Sequence, residues 1–171
     1  MSLSPQELER FTAELVESPE RWRHLVRHSL QERSYEPIWD DEELNAWLIC
    51  WGSGHDTGFH DHDRSAAVIA VLDGEVREER LRLNGAPVAR VLGPGSRVHV
   101  PAAAIHRVVH WGAAPAVTIH AYSPPLHASG AYRVGPDGEL ERTWLSEGEE
   151  LRAQQLELGA EPAARLDSVA R

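Results

Sequence analysis

The chain has 171 residues, 42% of them apolar, with 27 acidic against 17 basic side chains and a formal charge of -10. These values fit one globular domain and exclude disordered, collagen-like and coiled-coil classes. All 17 basic residues are arginine, which rules out Schiff-base chemistry and a P-loop lysine, and their scatter leaves no basic stripe for nucleic acid.

The single cysteine, Cys50, has no intramolecular disulfide partner, no charged-then-apolar leader opens the chain, and no apolar run approaches the ~18 residues of a membrane span. A reducing cytoplasm is expected, with no membrane contact. The protein is expected to be a monomer or a small homo-oligomer.

In chain order, residues 4–28 predict one or two short helices: Ser4 can cap, Pro5 suits the first helical position, and Leu8, Phe11, Leu15 and Trp22 fall near helical spacing. From Leu44 the pattern changes to short segments rich in Val, Ile and aromatics, namely NAWLICW, AAVIAVLDGEV, VREERLRL, PVARVL, SRVHVP, HRVVHW and AVTIHAYSP. Turn signals at Gly52 to Gly54, Asp73-Gly74, Asn84-Gly85 and Gly93-Pro94-Gly95 separate them, which predicts an antiparallel sandwich or barrel. After Pro125 the pattern weakens. Gly135-Pro136-Asp137-Gly138 reads as a turn, and the charged, Ala-rich stretch from Ser146 to Arg171 as part helix, part frayed tail. The expected division is a helical segment over 1–32, a barrel over 33–134 and an extension over 135–171.

Eight of the ten histidines fall in two clusters, His55 to His62 and His99 to His127. In a strand, residues i and i+2 share a face, so His60 and His62 can present two imidazoles to one point. His106 follows the turn-forming segment that begins at Pro101 and opens a predicted strand. A barrel that sets it opposite the pair makes a three-imidazole facial metal site with open positions. Without that convergence, His60 and His62 are ordinary polar residues on a strand rim. His55 is expected at the surface or behind the ligands, and His99 on the outer face. His110 either lines the cavity or takes a polar rim role.

The pattern G-x5-H-x-H from Gly54 to His62, then Gly74, then P-x4-H from Pro101 to His106, resembles the two cupin motifs, which imply a mainly β, jelly-roll-like antiparallel barrel with a metal in its mouth. The usual glutamate ligand would fall near Ala66 or Ala67 and is missing, so the site reads as His60, His62 and His106. More narrowly, Cys50-Trp51-Gly52, Val71 to Glu78 and Thr118-Ile119-His120-Ala121-Tyr122-Ser123-Pro124-Pro125 are similar to the cysteine dioxygenase family of thiol dioxygenases, over about residues 44–126.

That resemblance implies Fe(II) as cofactor, a small thiol and O2 as substrates, and a sulfinate product. It also implies a Thr118, His120, Tyr122 row in which threonine replaces the usual serine. Three neutral imidazoles leave the metal its full positive charge, which favours a thiolate ligand. The alternative for Tyr122 is a barrel tyrosine bonded to backbone.

Family members that crosslink a cysteine to this tyrosine carry it near the position of Ala67, so no crosslink is expected. Members that oxidise cysteine hold its carboxylate with an arginine on an early strand, and others place a glutamine there. The matching stretch, Ser34 to Trp39, has neither, which points to a substrate other than free cysteine. Arg33, Arg64 or Arg107 could substitute from another direction, and Trp39, Trp47 and Trp51 could wall the cavity or fill the core. Two other readings remain open at this level: a different three-histidine enzyme, either a zinc hydrolase or a carbon-carbon-cleaving dioxygenase, and a cupin that binds a ligand or metal without catalysis.

Overall fold

A computed structural model describes residues 2–82, 85–137 and 139–146. The first helix, α1 (Pro5–Val16), begins where its sequence says it should: Ser4 Oγ accepts from the Glu7 N–H at 3.3 Å and the Glu7 carboxylate accepts from the Ser4 N–H at 2.8 Å. That capping box satisfies two amides that a helix start would otherwise leave unpaired. Leu8, Thr12 and Leu15, at i, i+4 and i+7, form its buried face. A short α2 (Pro19–Trp22) and a 3-10 turn (Arg23–Leu25) follow, and the Trp22 indole N–H donates to the Leu15 carbonyl at 3.1 Å.

The rest is antiparallel. Strands β1 (Ser34–Asp40), β2 (Asn45–Trp51), β4 (Ala66–Asp73), β7 (Arg97–Val100) and β9 (Ala116–Ser123) form one sheet in the order β1-β2-β9-β4-β7. Strands β3 (Phe59–Asp61), β5 (Glu75–Arg80), β6 (Val88–Leu92), β8 (His106–Trp111), β10 (Ala128–Val134) and β11 (Leu140–Ser146) form the second, in the order β11-β10-β3-β8-β5-β6.

The first sheet is covered on both faces, which explains why β2 and β9 read as nearly continuous apolar runs instead of alternating ones. On the outer face Ala46, Leu48, Cys50, Val68, Val117, Ile119 and Ala121 pack under Leu8 and Leu15 of α1. On the inner face Ile49, Trp51, Ile69, Val71 and Tyr122 meet Val76, Leu92 and Val108 of the second sheet. Because side chains alternate along a strand, covering Val117, Ile119 and Ala121 with the helix turns Thr118, His120 and Tyr122 into the barrel.

The hairpin between β4 and β5 turns at Gly74, where φ is 63° and a Cβ would lie 2.3 Å from the Pro115 carbonyl oxygen; only glycine fits. Three strands carried little sequence signal. β1 is interrupted by Pro37, while β10 and β11 flank the turn at Gly135 to Asp137 with mostly half-exposed or exposed residues. The extension expected from 135 onward therefore opens with a strand paired along the whole of β10. Residues 147–171, where a partly helical tail was expected, lie outside the described residues, as does Asn84 of the expected Asn84-Gly85 turn.

Candidate metal centre

His60 lies on β3 and His106 at the first position of β8, and the two are direct cross-strand partners. Opposed residues on one face of an antiparallel pair bring their side chains together. His62, two residues on and just past the end of β3, keeps the facing of His60. The Nε2 atoms of His60 and His62 are 3.2 Å apart, as are those of His62 and His106, and one ligand atom from each of the three lies within 4.8 Å of the others. The three residues are 4%, 1% and 0% exposed.

Burial drives these rings toward the neutral form. The His60 pKa is lowered to about 4, first by desolvation, partly opposed by its hydrogen bond to Gly58 and reinforced by the Arg33 charge. Burial and then mutual repulsion among the imidazoles push His62 and His106 well below the ordinary value. His60 Nδ1–H donates to the Gly58 carbonyl at 3.1 Å, which puts the Nε2 lone pair toward the other two rings. With the proton on Nδ1 in all three rings, the Nε2 lone pairs would face one another across 3.2 Å, a repulsion that a cation between them would relieve. Two nitrogens at right angles about an ion with ~2.1 Å bonds stand about 3 Å apart, so the arrangement fits a first-row divalent metal.

Around this centre the structure places Tyr122 and His120 together: the Tyr122 hydroxyl and His120 Nδ1 are 3.3 Å apart, and the Tyr122 ring stands edge-on to His62 at a centroid distance of 5.0 Å. His120 Nε2 is buried without a hydrogen-bond partner. The His120 pKa falls to about 3, first from burial and then from the charges of His60 and Arg33. Thr118 shares their face, but its hydroxyl accepts from the Trp51 indole N–H at 2.9 Å, so the expected three-member row is a Tyr122–His120 pair beside a Trp51–Thr118 pair. Ala67 is the direct cross-strand partner of Tyr122 and is fully buried; its methyl offers no sulfur for a crosslink.

His55 is buried, not at the surface: Nδ1 accepts from the Gly52 N–H at 2.8 Å and pins the loop between β2 and β3. His110 Nε2 reaches the Ala114 carbonyl at 2.8 Å, closing the turn into β9. His99 is half-buried on β7, alternating with exposed Arg97. Cys50 is buried beneath α1.

The three candidate arginines separate clearly. Arg107 forks onto Asp56, and Arg64 is exposed beside Asp63. Arg33 is only 6% exposed, its guanidinium sits 5.2 Å from the centre of the Trp51 ring, and its charge acts on His60, His120 and His55. Trp51 in turn packs beside His120 at a centroid distance of 6.2 Å. Trp47 packs against the inner core, and Trp39 belongs to the outer layer with Phe11.

Two carboxylates near the ligands were not singled out by sequence. Asp61, between His60 and His62, takes the Arg142 fork at 2.8 and 2.9 Å together with the Tyr132 hydroxyl and the Gly130 N–H. Burial works to raise its pKa, but the Arg142 and Tyr132 hydrogen bonds outweigh that and hold the carboxyl well below the usual carboxylate range. Glu78, 1% exposed, lies behind His106. In sequence both look like solvated charges, and only strand pairing shows otherwise. A cleft of about 530 Å³ reaches His62 between Asp41, Arg64, Pro125 and Trp144.

Comparison with known proteins agrees with this geometry. The sequence profile described as Cysteine dioxygenase type I matches residues 4–134. Cysteine dioxygenase type 1 of Danio rerio is 24% identical over 174 residues, spanning 94% of this chain and 86% of that protein. The Homo sapiens protein of the same name is 28% identical over 115 residues, 61% of this chain and 58% of its own length. Among solved structures, TT1209 of Thermus thermophilus superposes with a TM-score of 0.54 at 25% identity, covering 60% of this chain and 93% of its own. A double-stranded β-helix protein of Klebsiella pneumoniae shares the fold, with a TM-score of 0.53 at 16% identity over 60% of this chain and 80% of its own. Since the profile runs from the first helix to the end of β10, the chain belongs to the cysteine dioxygenase type I family of thiol dioxygenases.

Proposed function

We propose that the protein is an iron(II) thiol dioxygenase whose substrate is a small thiol bearing a carboxylate. The observation that carries this reading is the convergence of three buried, neutral imidazoles with a phenol packed edge-on to one of them. Bound among His60, His62 and His106, a ferrous ion would have no anionic protein ligand, which favours binding of a thiolate, and would supply the redox chemistry by which both atoms of O2 add to sulfur. The electrons that reduce O2 all come from sulfur, which becomes a sulfinate, so no external reductant is required.

The chain's own residues would do the positioning. Tyr122 packs its ring against His62 and carries a hydroxyl linked to His120, which could hold or pass a proton at the substrate sulfur or at oxygen. Arg33 is one residue ahead of the stretch where the family's head-group residue was sought. Buried over Trp51, with its charge acting on His60 and His120, it would attract a substrate carboxylate. Thr118 fixes Trp51, and Trp51 fixes the stacking plane for Arg33. A reducing cytoplasm, which keeps thiols and ferrous iron available, suits this chemistry.

The test is oxygen uptake by anaerobically iron-loaded protein with cysteine, 3-mercaptopropionate, mercaptosuccinate and cysteamine. Carboxylate-bearing thiols are expected to turn over and cysteamine to be at least roughly tenfold poorer, since a missing hydrogen bond to a charged group costs about 1.5–3 kcal/mol. Arg33→Gln should erase that preference by raising KM. A flat response to every thiol would favour a zinc hydrolase or a non-catalytic cupin, and a preference for cysteamine would remove Arg33 from the head-group site.

A further inference from the structure

Four side chains line up across the second sheet in the order of its strands. Arg90 on β6 is the direct cross-strand partner of Glu78 on β5. Glu78 in turn lies opposite Val108 on β8, diagonal to His106, and His106 faces His60 on β3. Val108 belongs to the inner core, so Glu78 points to the same side, and a diagonal neighbour is within reach of a long side chain. Its Oε1 lies 3.5 Å from His106 Nδ1, a buried nitrogen that makes no hydrogen bond and for which this carboxylate is an acceptor within reach. Arg80 Nε donates to Oε1, and Arg90 Nε donates to Oε2 at 2.8 Å.

A carboxylate that is 1% exposed is costly unless it is paired, and here Arg80 and Arg90 both pair with it. The row therefore alternates in charge from the half-exposed side chain of Arg90 to the place between the imidazoles where a cation fits.

We propose that Glu78 is a positioning residue for the metal centre: it holds the Nδ1–H of His106, directs the Nε2 lone pair inward, and lends the site the negative charge that no carboxylate ligand provides at Ala66 or Ala67. The proposal rests on His60, His62 and His106 binding iron. It is independent of which thiol reacts. Arg80 and Arg90 set how much of the Glu78 charge reaches His106, so the two ends of the row act in opposite senses. Removing the anion leaves both arginines uncompensated near the cation, whereas removing Arg90 leaves the anion less neutralised.

Glu78→Gln and Arg90→Gln test this against wild type by anaerobic Fe(II) titration and by the Fe(III)/Fe(II) midpoint potential. Glutamine can still accept a hydrogen bond from His106, so E78Q removes charge while keeping shape. It is expected to bind Fe(II) roughly 10- to 100-fold more weakly and to shift the potential upward. R90Q is expected to shift the potential downward with affinity equal or tighter. Equal affinity and potential in E78Q and wild type would overturn the proposal. So would potentials that move the same way in both variants, because simple loosening of the sheet has one sign. If E78Q does not fold, the downward shift in R90Q still decides the matter, and its absence overturns the proposal. A wild-type protein that holds no Fe(II) would sink the metal-centre reading itself, and this inference with it.

Discussion

At the scale of single residues, each site group owes its role to what lies on the far side of it. His60 presents Nε2 because Gly58 takes its Nδ1–H. The role proposed for Tyr122 rests on two contacts, its hydroxyl with His120 and its ring with His62. Replacing Tyr122 with Phe keeps the ring packing and removes only the hydroxyl. Turnover is expected to fall by roughly 10²- to 10⁴-fold, the usual range for a positioned proton-transfer group, while iron content by metal analysis stays at the wild-type level. Loss of iron from Y122F would place the tyrosine among the groups that hold the metal.

The histidine triplet was legible in sequence because a two-residue strand period and a turn-forming Pro101 segment are local features. Arg33 was only one of three candidate arginines, and Glu78 was not singled out. Their partners, Trp51, His106 and Arg90, are brought near by strand pairing, and nothing about an arginine or glutamate in sequence distinguishes a buried charge from a solvated one.

At the scale of elements, β3 has only three residues, too few to be stable alone, yet it carries His60 and ends one residue before His62. It is held from both sides, by β8 through the His60–His106 pairing and by β10 through Gly130, Ala131 and Tyr132. The Arg142 fork from β11 locks onto Asp61 between the ligands, so the hairpin beyond Pro125 braces the centre. Arg142→Ala is expected to lower stability by about 1.5–3 kcal/mol, the cost of hydrogen bonds to a charged group, read as a lower urea midpoint. It should also speed Fe(II) release to a chelator. An unchanged midpoint and release rate would show that β3 needs no brace from β11. The hairpin was faint in sequence because its residues are mostly half-exposed or exposed and lack a clean apolar alternation.

At the scale of the whole molecule, the barrel buries four imidazoles in one place, and this couples stability to pH. His60, His62, His106 and His120 all have pKa values lowered on folding, with burial as the leading cause. The unfolded chain therefore binds more protons in acid, and stability rises with pH across that range. For the metal-free protein, stability is expected to be full above pH about 6.5 and to be lost progressively as pH falls toward about 4 and about 3, the His60 and His120 values. Urea midpoints at pH 7.5, 6 and 5 should fall in that order, and a midpoint that stays level or rises would contradict the burial of neutral rings.

By itself the sequence determined what local rules can carry. These are the capped first helix, the strand-and-turn rhythm, the sharp turn at Gly74, and the spacing that sets His60 and His62 on one face with His106 after a turn. Only the tertiary structure decided which face of β9 enters the barrel, which arginine lies beside the imidazoles, and which two carboxylates lie next to them. Those outcomes depend on register between strands far apart in the chain and on which surfaces are shut away from water.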